Sequence, residues 1–580
     1  MRWRFAGQQF LVVALVAVLG VFLIWPIVLT VRGGFVGPDG GFSLEALRLV
    51  FVDPASRSGL INSALIASAT TTLSLLLALP LAVLAARYDF FGKRLLSALV
   101  LVPLVLPPFV GAIGMKHILG RFGTVNTLLG TEWDILGQGR FWGVVIVEAL
   151  HLYPIIYLNS LSALANLDPT LDEAARNLGA SRWVRFRRIT LPLIRPGLFA
   201  GCTIVFIWSF TELGTPLMFD MRHVLPVQIF YQLKEMESSA QPYALTVVML
   251  TAAMLLYLLG KGVFGARGHA MYGKASIRSE DKPLGALGSI AAWAAFGLVI
   301  VPAMLPHLGV IAASFSEPGQ WYRSVLPTSW TSGHYVDALG HSLAMGSIAN
   351  SLKYALISMI LTLIVGTAIG YLIVRSRVYG RSLLDAMSML PLAVPGLVLA
   401  FGYVAMTLEP PFSWRGETVS GWQAWFAPIA RHFDVLGPEA NPLLLLVIAY
   451  AVRRLPYMVR SVTAGLEQTA VELEEAARNL GAGPLRTMAA ITMPLIMANL
   501  IAGGLLVFSF SMLEVSDSLI LAQREIHYPM TKAIYTLYQR LGDGEYIASA
   551  MGVWGMLLLI ITLTGASVLM GRKAGALFRI

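Results

Sequence analysis

The octapeptide EAARNLGA occurs at Glu173–Ala180 and again, letter for letter, at Glu475–Ala482. Eight identical residues that include Glu, Arg and Asn do not arise from a general excess of apolar residues. The chain is therefore predicted to be an internal duplication, and such repeats determine the architecture of a chain.

The repeat extends in both directions from the octapeptide, in two registers. At an offset of 475 − 173 = 302, Glu212 aligns with Glu514. Upstream the offset is 288, and the pairs that share it are Asn62 with Asn350, Ser63 with Ser351, Pro103 with Pro391 and Pro107 with Pro395. The difference, 302 − 288 = 14, predicts an insertion in the second half, within the polar residues 409–441.

The composition indicates a membrane protein. Hydrophobic residues make up 57% of the chain and charged residues only 13%, and each half contains six apolar runs of roughly the 20 residues that cross a bilayer. The runs lie near residues 10–31, 60–86, 95–119, 142–165, 196–213 and 240–264, and near 286–315, 348–374, 383–408, 442–464, 495–513 and 548–570. The prediction is an all-α protein of about twelve transmembrane helices, with halves at 1–265 and 284–580 joined by a linker at 266–283.

The distribution of charge predicts the orientation. Arg2 and Arg4 precede a first apolar run with no small-residue cleavage site near Trp25, so an uncleaved span is expected. Lysine and arginine are enriched on the side that carries the N-terminus, the C-terminus and both octapeptides, which predicts that this side is cytoplasmic. The net charge of +10 follows from this asymmetry and indicates lipid rather than nucleic acid as a partner. The single Cys202 excludes an intrachain disulfide.

The first octapeptide loop, at about residues 167–195, has the signals of two short helices. Asp168 is a good N-cap and Pro169 suits the first helical position. Gly179 is placed to end the first helix, and Ser181 to cap the second. We therefore expect a helix, a turn and a second helix on the cytoplasmic side.

The second octapeptide loop, at about residues 467–494, predicts the same arrangement with other caps. Thr469 and Glu472 form a T-x-x-E capping box, Gly481 ends the helix and Pro484 begins the next. In each loop an acid and an asparagine four residues apart share one exposed face, and two small alanines let a partner approach. These candidate contact residues are Glu173, Ala174, Ala175, Asn177 and Gly179, with Glu475, Ala476, Ala477, Asn479 and Gly481. The alternative is that both loops are solvated connectors.

At this point the chain resembles the membrane subunits of binding-protein-dependent ABC importers, whose signature is EAA, a glycine and then I-x-L-P. The first copy continues with Ile189 and Leu191-Pro192 and the second with Ile491 and Met493-Pro494, so that only Met493 departs. The resemblance implies two six-helix type I permease halves in a bacterial inner membrane. It also implies that each EAA helix couples to one of two copies of an ATPase that carries ATP and Mg²⁺, and that a periplasmic protein delivers the solute.

Acidic residues within predicted spans are the next candidates. Glu212 and Glu514, with Ser209 and Ser511 one turn earlier, lie at equivalent places near the outer ends of the fifth spans. Charges at membrane depth usually face a cavity, so these four residues are candidates for the translocation path. They can equally well hydrogen-bond neighbouring helices. The proline-rich third spans should bend, with or without a functional role.

No residues point to an enzyme or a metal site. The G-x-x-x-x-G-K-[ST] motif is absent, so ATP hydrolysis must come from another chain. The histidines lie apart, and those at 334 and 341 are expected on the surface. An ion-coupled secondary transporter, and a membrane enzyme or scaffold, remain as alternative classes. A fused chain of two halves resembles ferric-iron permeases and their thiamine and phosphonate relatives; ferric iron leads, ahead of thiamine, organophosphonates, polyamines and sugars.

Overall fold

The computed structural model describes residues 2–260 and 282–570, apart from Pro38, Asn166 and most of residues 410–439. The predicted linker at 266–283 lies outside the described residues except for 282 and 283, and so does the greater part of the predicted insertion within 409–441. The described residues are mostly helical, and their β-structure consists of one pair of two-residue parallel strands, Tyr88–Asp89 and Lys282–Pro283, and two isolated bridges. The predicted all-α membrane fold is confirmed.

The described residues form two compact units. The first unit draws on the ranges 1–56, 228–250 and 332–577, and the second on 57–227 and 251–331. The main helices of the first unit are Arg2–Leu19, Trp25–Gly33, Ser342–Arg375, Arg381–Met389, Gly396–Met406, Leu443–Glu467, Val471–Asn479, Met497–Met512, Met530–Tyr538 and Gly544–Met570. Those in the second unit are Pro54–Arg87, Lys93–Leu99, Pro108–Leu119, Phe141–Ala165, Pro169–Asn177, Leu191–Phe210 and Ala286–Phe315. Helix Gln241–Gly260 is divided equally between the two units.

The two units do not coincide with the two sequence halves, because each first span packs within the unit built mainly from the other half. A glycine makes this packing possible in both units. A Cβ atom on Gly309 would lie 2.8 Å from the backbone of Gly114, and a Cβ atom on Gly402 would lie 2.7 Å from the carbonyl oxygen of Pro26. Gly114 and Gly402 are repeat equivalents, since 402 − 114 = 288. Glycine is needed where backbones approach this closely.

The described residues contain seven helices long and apolar enough to cross a membrane, or ten if each of three bent pairs is one span. Two further predicted spans are also helical. Gln241–Gly260 has a shorter apolar stretch, and Leu443–Glu467 carries Arg453, Arg454 and Arg460. The structure thus has a helix for each of the twelve predicted runs.

The predicted bend in each third span is confirmed. The helices on either side of the break meet at 98° in the first half and at 106° in the second. Pro107 has φ −55° and ψ 135°, and Pro395 has φ −56° and ψ 136°. Proline lacks an amide hydrogen and holds the preceding residue out of the helical region, so the same break forms twice.

Candidate coupling loops and path residues

The first octapeptide loop folds as its caps predict. The Asp168 carboxylate accepts hydrogen bonds from the backbone nitrogen of Thr170 at 2.9 Å and from its hydroxyl at 2.7 Å, at the start of helix Pro169–Asn177. These bonds hold the pKa of Asp168 below its usual value, because they favour the charged carboxylate. The Ser181 side chain caps the next helix, Arg182–Arg185.

The second octapeptide loop has the same helix, Val471–Asn479, but the predicted capping box at Thr469 and Glu472 is wrong. The N-cap is Ala470, which has no side-chain hydrogen bond. The hydroxyl of Thr469 instead donates to the carbonyl oxygen of Leu466 at 2.9 Å and accepts from Arg375 at 2.8 Å. A tertiary contact has thus replaced the local cap.

The predicted glycine stops are confirmed, and both loops end in the same motif. Gly179 has φ +77° and Gly481 has φ +87°. The backbone nitrogen of the following alanine bonds a carbonyl oxygen five residues back, Ala180 to Ala175 and Ala482 to Ala477, at 3.0 Å in both loops. This is the Schellman motif, in which a left-handed residue lets the last carbonyls of the helix find donors.

The predicted contact faces are exposed. Glu173 and Asn177 in the first loop, and Glu475 and Asn479 in the second, are all open to solvent. The first alanine of each pair is exposed and the second half-buried. Sequence reasoning did not select the leucine before each glycine, yet Leu178 is 88% exposed and Leu480 is 89% exposed. An apolar leucine repeated at the same position of two polar loops was a signal available in the sequence.

The two loops are anchored differently beneath these faces. In the second loop the buried Glu474 pairs with Arg375 at 3.1 Å. In the first loop the equivalent Asp172 pairs with Arg185 of its own loop at 3.3 Å. Arg87, the equivalent of Arg375, donates instead to the hydroxyl of Thr190.

A π-helical turn lies near the end of each loop. It covers Phe186–Thr190 in the first half and Met488–Thr492 in the second, again 302 residues apart. Each turn contains the isoleucine of the I-x-L-P signature and ends two residues before the proline. A π-helical turn is a local widening of the helix, and such turns are frequent at functional sites. This part of the signature therefore coincides with a widened turn in both halves.

The path candidates Glu212 and Glu514 have different surroundings. The Glu212 carboxylate accepts from the backbone nitrogens of Gly214 at 3.1 Å and Thr215 at 3.3 Å, and so caps the short helix Gly214–Met218. Glu514 is buried and paired with Arg453 at 2.7 Å and with Arg454. Both arrangements favour the hydrogen-bonding alternative over an open path lining.

The serine candidates also differ from each other. The Ser209 hydroxyl donates to the buried carboxylate of Glu148. The hydroxyl of the equivalent Ser511 is buried without a hydrogen-bond partner in the described part of the chain. Arg453 and Arg454 were not predicted, although two adjacent arginines inside an apolar run are a recognised sign of a functional or structural charge site.

One histidine expectation is corrected, that for His334; His341 is half-exposed. His334 is buried rather than on the surface, and its ring stacks on Tyr546 with the centroids 5.3 Å apart. His341 accepts a hydrogen bond from the backbone nitrogen of Leu343 at 3.2 Å, as the N-cap of helix Ser342–Arg375. Both histidines therefore serve to position helices.

Comparison with known proteins matches residues 78–267 and 362–574 to the family described as "Binding-protein-dependent transport system inner membrane component". The ferric transport system permease protein FbpB of Actinobacillus pleuropneumoniae is 25% identical over 96% of this chain and 77% of its own length. The molybdenum transport system permease protein ModB of Haemophilus influenzae is 38% identical over 25% of this chain and 66% of its own length. A solved bacterial ABC transporter involved in import of the acidic polysaccharide alginate is 18% identical, with a TM-score of 0.36 over 46% of this chain and 99% of its own chain.

Proposed function

Because this chain belongs to the family of binding-protein-dependent transport system inner membrane components, we propose that it is the permease of an importer that carries ferric iron. In this proposal a periplasmic protein delivers the iron, and two copies of a separate ATPase subunit drive its passage into the cytoplasm. The family assignment makes the chain a multi-pass membrane transport subunit.

The observation that carries the ATPase partner is the repeated exposed face. Two loops with one backbone motif each present glutamate, asparagine and leucine at equivalent positions. Identical surfaces fit two copies of the same partner. The chain has no phosphate-binding G-x-x-x-x-G-K-[ST] motif, so ATP and Mg²⁺ would be held by that partner. The N- and C-termini would then lie on the same cytoplasmic side as the loops.

The support for iron comes from relatives. Two relatives named as ferric permeases each match most of this chain, at 25% identity over 96% of it and 25% over 88% of it. The molybdenum permease is more similar, but over only 25% of the chain. Thiamine, organophosphonates, polyamines and sugars are the remaining candidates for the same importer class.

The test is reconstitution. The chain should co-purify with a P-loop ATPase and stimulate its hydrolysis, and vesicles holding the complex should accumulate radiolabelled ferric iron presented by the cognate binding protein only when ATP is inside. Uptake that follows an ion gradient without the ATPase would replace the proposal with a secondary transporter. ATP-driven uptake of another solute, with no iron bound by the periplasmic protein, would replace iron alone.

A further inference from the structure

The outer segments after the two fifth spans have a register that the structure defines. The Ser63 hydroxyl accepts a hydrogen bond from the backbone nitrogen of Leu225 at 2.9 Å, and the Ser351 hydroxyl accepts one from that of Met530 at 2.7 Å. Ser63 and Ser351 are repeat equivalents, and Leu225 and Met530 each begin a short helix. In this segment the offset between the repeats is therefore 530 − 225 = 305.

Two residues equivalent in this register contact each other. Phe230 and Tyr535 differ by 535 − 230 = 305, and their rings meet edge to face with the centroids 6.2 Å apart and an interplanar angle of 87°. Tyr535 is only 6% exposed. In a two-fold arrangement, only residues beside the axis can touch their own equivalents. The pair thus marks the place where the two repeats converge.

This pair lies at the end of the spans opposite the coupling loops. The serines that hold the two short helices are 24 residues before Arg87 and before Arg375, in helices Pro54–Arg87 and Ser342–Arg375. A rise of 1.5 Å per residue places them roughly 36 Å from those arginines, which is about the thickness of a membrane. Because Arg375 bonds the second coupling loop, the aromatic pair is on the outer side.

A buried lysine lies against the Phe230 ring of this pair. The ammonium of Lys532 lies 5.3 Å from the centroid of the Phe230 ring and 5.6 Å from that of Tyr528. It donates to the carbonyl oxygen of Leu519 at 3.0 Å, and the residue is 7% exposed. Among the residues that the structure describes, no carboxylate pairs with it. The equivalent position in the first half, 532 − 305 = 227, is Val227, so this charge is present once.

We propose that Phe230 and Tyr535 form the outer gate of the translocation path, and that Lys532 makes the opened gate selective for a solute of net negative charge. Separating the two rings withdraws the Phe230 face from the ammonium, while the Tyr528 ring and the bond to the Leu519 carbonyl oxygen keep the charge beside the opening. Charges in a water-poor constriction interact strongly. The charge of Glu514 is already compensated by Arg453 and Arg454, and the Glu212 carboxylate is directed to the backbone nitrogens of Gly214 and Thr215. The proposal rests on the proposed function as an importer, and it restricts iron to a form that carries excess anionic ligands.

The gate is tested by leakage. The complex of this chain with its ATPase is reconstituted without nucleotide into vesicles that contain radiolabelled phosphate and radioactive rubidium. The double variant Phe230→Ala with Tyr535→Ala should release phosphate at least tenfold faster than the wild type. The matched control is Phe35→Ala with Phe42→Ala, an outer aromatic pair within one repeat whose ring centroids are 5.8 Å apart, and it should remain sealed.

Selectivity is tested in the leaking variant. Phosphate should leave at least tenfold faster than rubidium, and adding Lys532→Met should abolish or invert that preference. Rubidium leaving first with Lys532 intact would overturn the charge assignment, as would an unchanged preference after its replacement. The variant Tyr535→Phe keeps the ring and should stay sealed, and co-purification with the ATPase checks that each variant has folded.

Absence of leakage from the folded double variant would overturn the gate. That failure is distinct from failure of the importer assignment, which would appear in the wild type as loss of ATPase association or of ATP-driven uptake.

Discussion

Replacement of Arg375 by alanine should free the second coupling helix, Val471–Asn479, from the membrane-spanning helix beneath it. The guanidinium donates to Glu474 at 3.1 Å, to the carbonyl oxygens of Leu466 at 2.8 Å and Thr469 at 2.9 Å, and to the Thr469 hydroxyl at 2.8 Å. The side chains of Arg375 and Glu474 are 8% and 3% exposed. The bond to Glu474 is the one that reaches the helix itself, and the other three hold the residues just before it. Arg478 of the same helix adds one bond to the span, to the Tyr371 hydroxyl at 3.2 Å.

The free energy lost on removing Arg375 depends on the burial of the ion pair and on the partner that Glu474 keeps. Removing one partner of a buried ion pair costs about 3–5 kcal/mol, because the other charge is left without compensation. Glu474 retains Arg478 at 3.1 Å, which is one-third exposed, so the lower end of this range applies. About 3 kcal/mol corresponds to roughly a 100-fold shift in the equilibrium between docked and undocked helix.

Hydrogen exchange measures this equilibrium directly, since local opening sets the exchange rate of protected amides. In Arg375→Ala, amides of Val471–Asn479 should exchange roughly 100-fold faster, while Glu474→Gln should have a smaller effect because the amide oxygen still accepts a bond. The matched control is Arg87→Ala. Arg87 bonds the Thr190 hydroxyl rather than the loop acid, and the first loop keeps its pair of Asp172 and Arg185, so exchange in Pro169–Asn177 should change little.

Equal acceleration in the two loops, or unchanged exchange in Val471–Asn479, would refute the reasoning. The first result would mean that both arginines act by the same route, whatever their different partners. The second would mean that the remaining contacts of the helix, among them the bond from Arg478 to Tyr371, are enough to hold it.

Three further outcomes are expected. Replacing Glu173 and Glu475 together with lysine should abolish ATP-driven uptake in a chain that still inserts, and normal uptake would remove the coupling assignment. Leu480→Asp, at an exposed position, should leave thermal unfolding unchanged and weaken ATPase binding by about tenfold, as expected for loss of one buried leucine; equal affinities in a pull-down titration would contradict this. Glu514→Gln should lower the unfolding temperature in detergent far more than Glu212→Gln, because Glu514 is buried and paired with two half-buried arginines whereas Glu212 caps a short helix; equal shifts would contradict the pairing.

The features that were predictable from the sequence depend on neighbouring residues. Asp168 caps a helix because Thr170 is two residues away, and Gly179 and Gly481 end helices because glycine tolerates positive φ. The bends at Pro107 and Pro395 follow from proline itself. In these places the chemistry of a few adjacent residues decides the conformation. The glycine stops and the proline bends occur at equivalent positions in both halves.

The features that were not predictable depend on residues far apart in the chain. Thr469 loses its role as a cap because Arg375, 94 residues earlier, takes its oxygen atoms. Glu514 becomes an ion-pair partner because Arg453 and Arg454 approach it, whereas the equivalents of these arginines in the first half are His151 and Leu152. The repeat predicts equivalent positions, and the partners at those positions must be found in three dimensions.

The exchange of first spans was likewise invisible in the sequence. Apolar periodicity identifies a span but does not say which neighbour it contacts. The glycines at 114 and 402 permit close contact, but nothing in their local sequence distinguishes them from glycines that do not contact another helix. One of these glycines contacts Gly309 and the other contacts Pro26. The packing of the first spans is therefore a property of the folded units.

The difference between the anchors has a consequence for transport that single variants can measure. The exposed faces of the two loops are alike, whereas Glu474 is tied to a membrane-spanning helix by Arg375 and Asp172 is tied to Arg185 within its own loop. Movement of the second loop should thus be transmitted to its span more directly.

We expect Glu475→Lys alone to reduce ATP-driven uptake more than Glu173→Lys alone. The two substitutions change the contact with the ATPase in the same way, so the difference would come from the anchors. In the background of Arg375→Ala the two single variants should become similar, because the stiffer connection is gone. The comparison requires equal ATPase binding, measured by co-purification. If Glu173→Lys is the more damaging variant, or if the difference persists without Arg375, the anchor does not determine how strongly each loop drives its half.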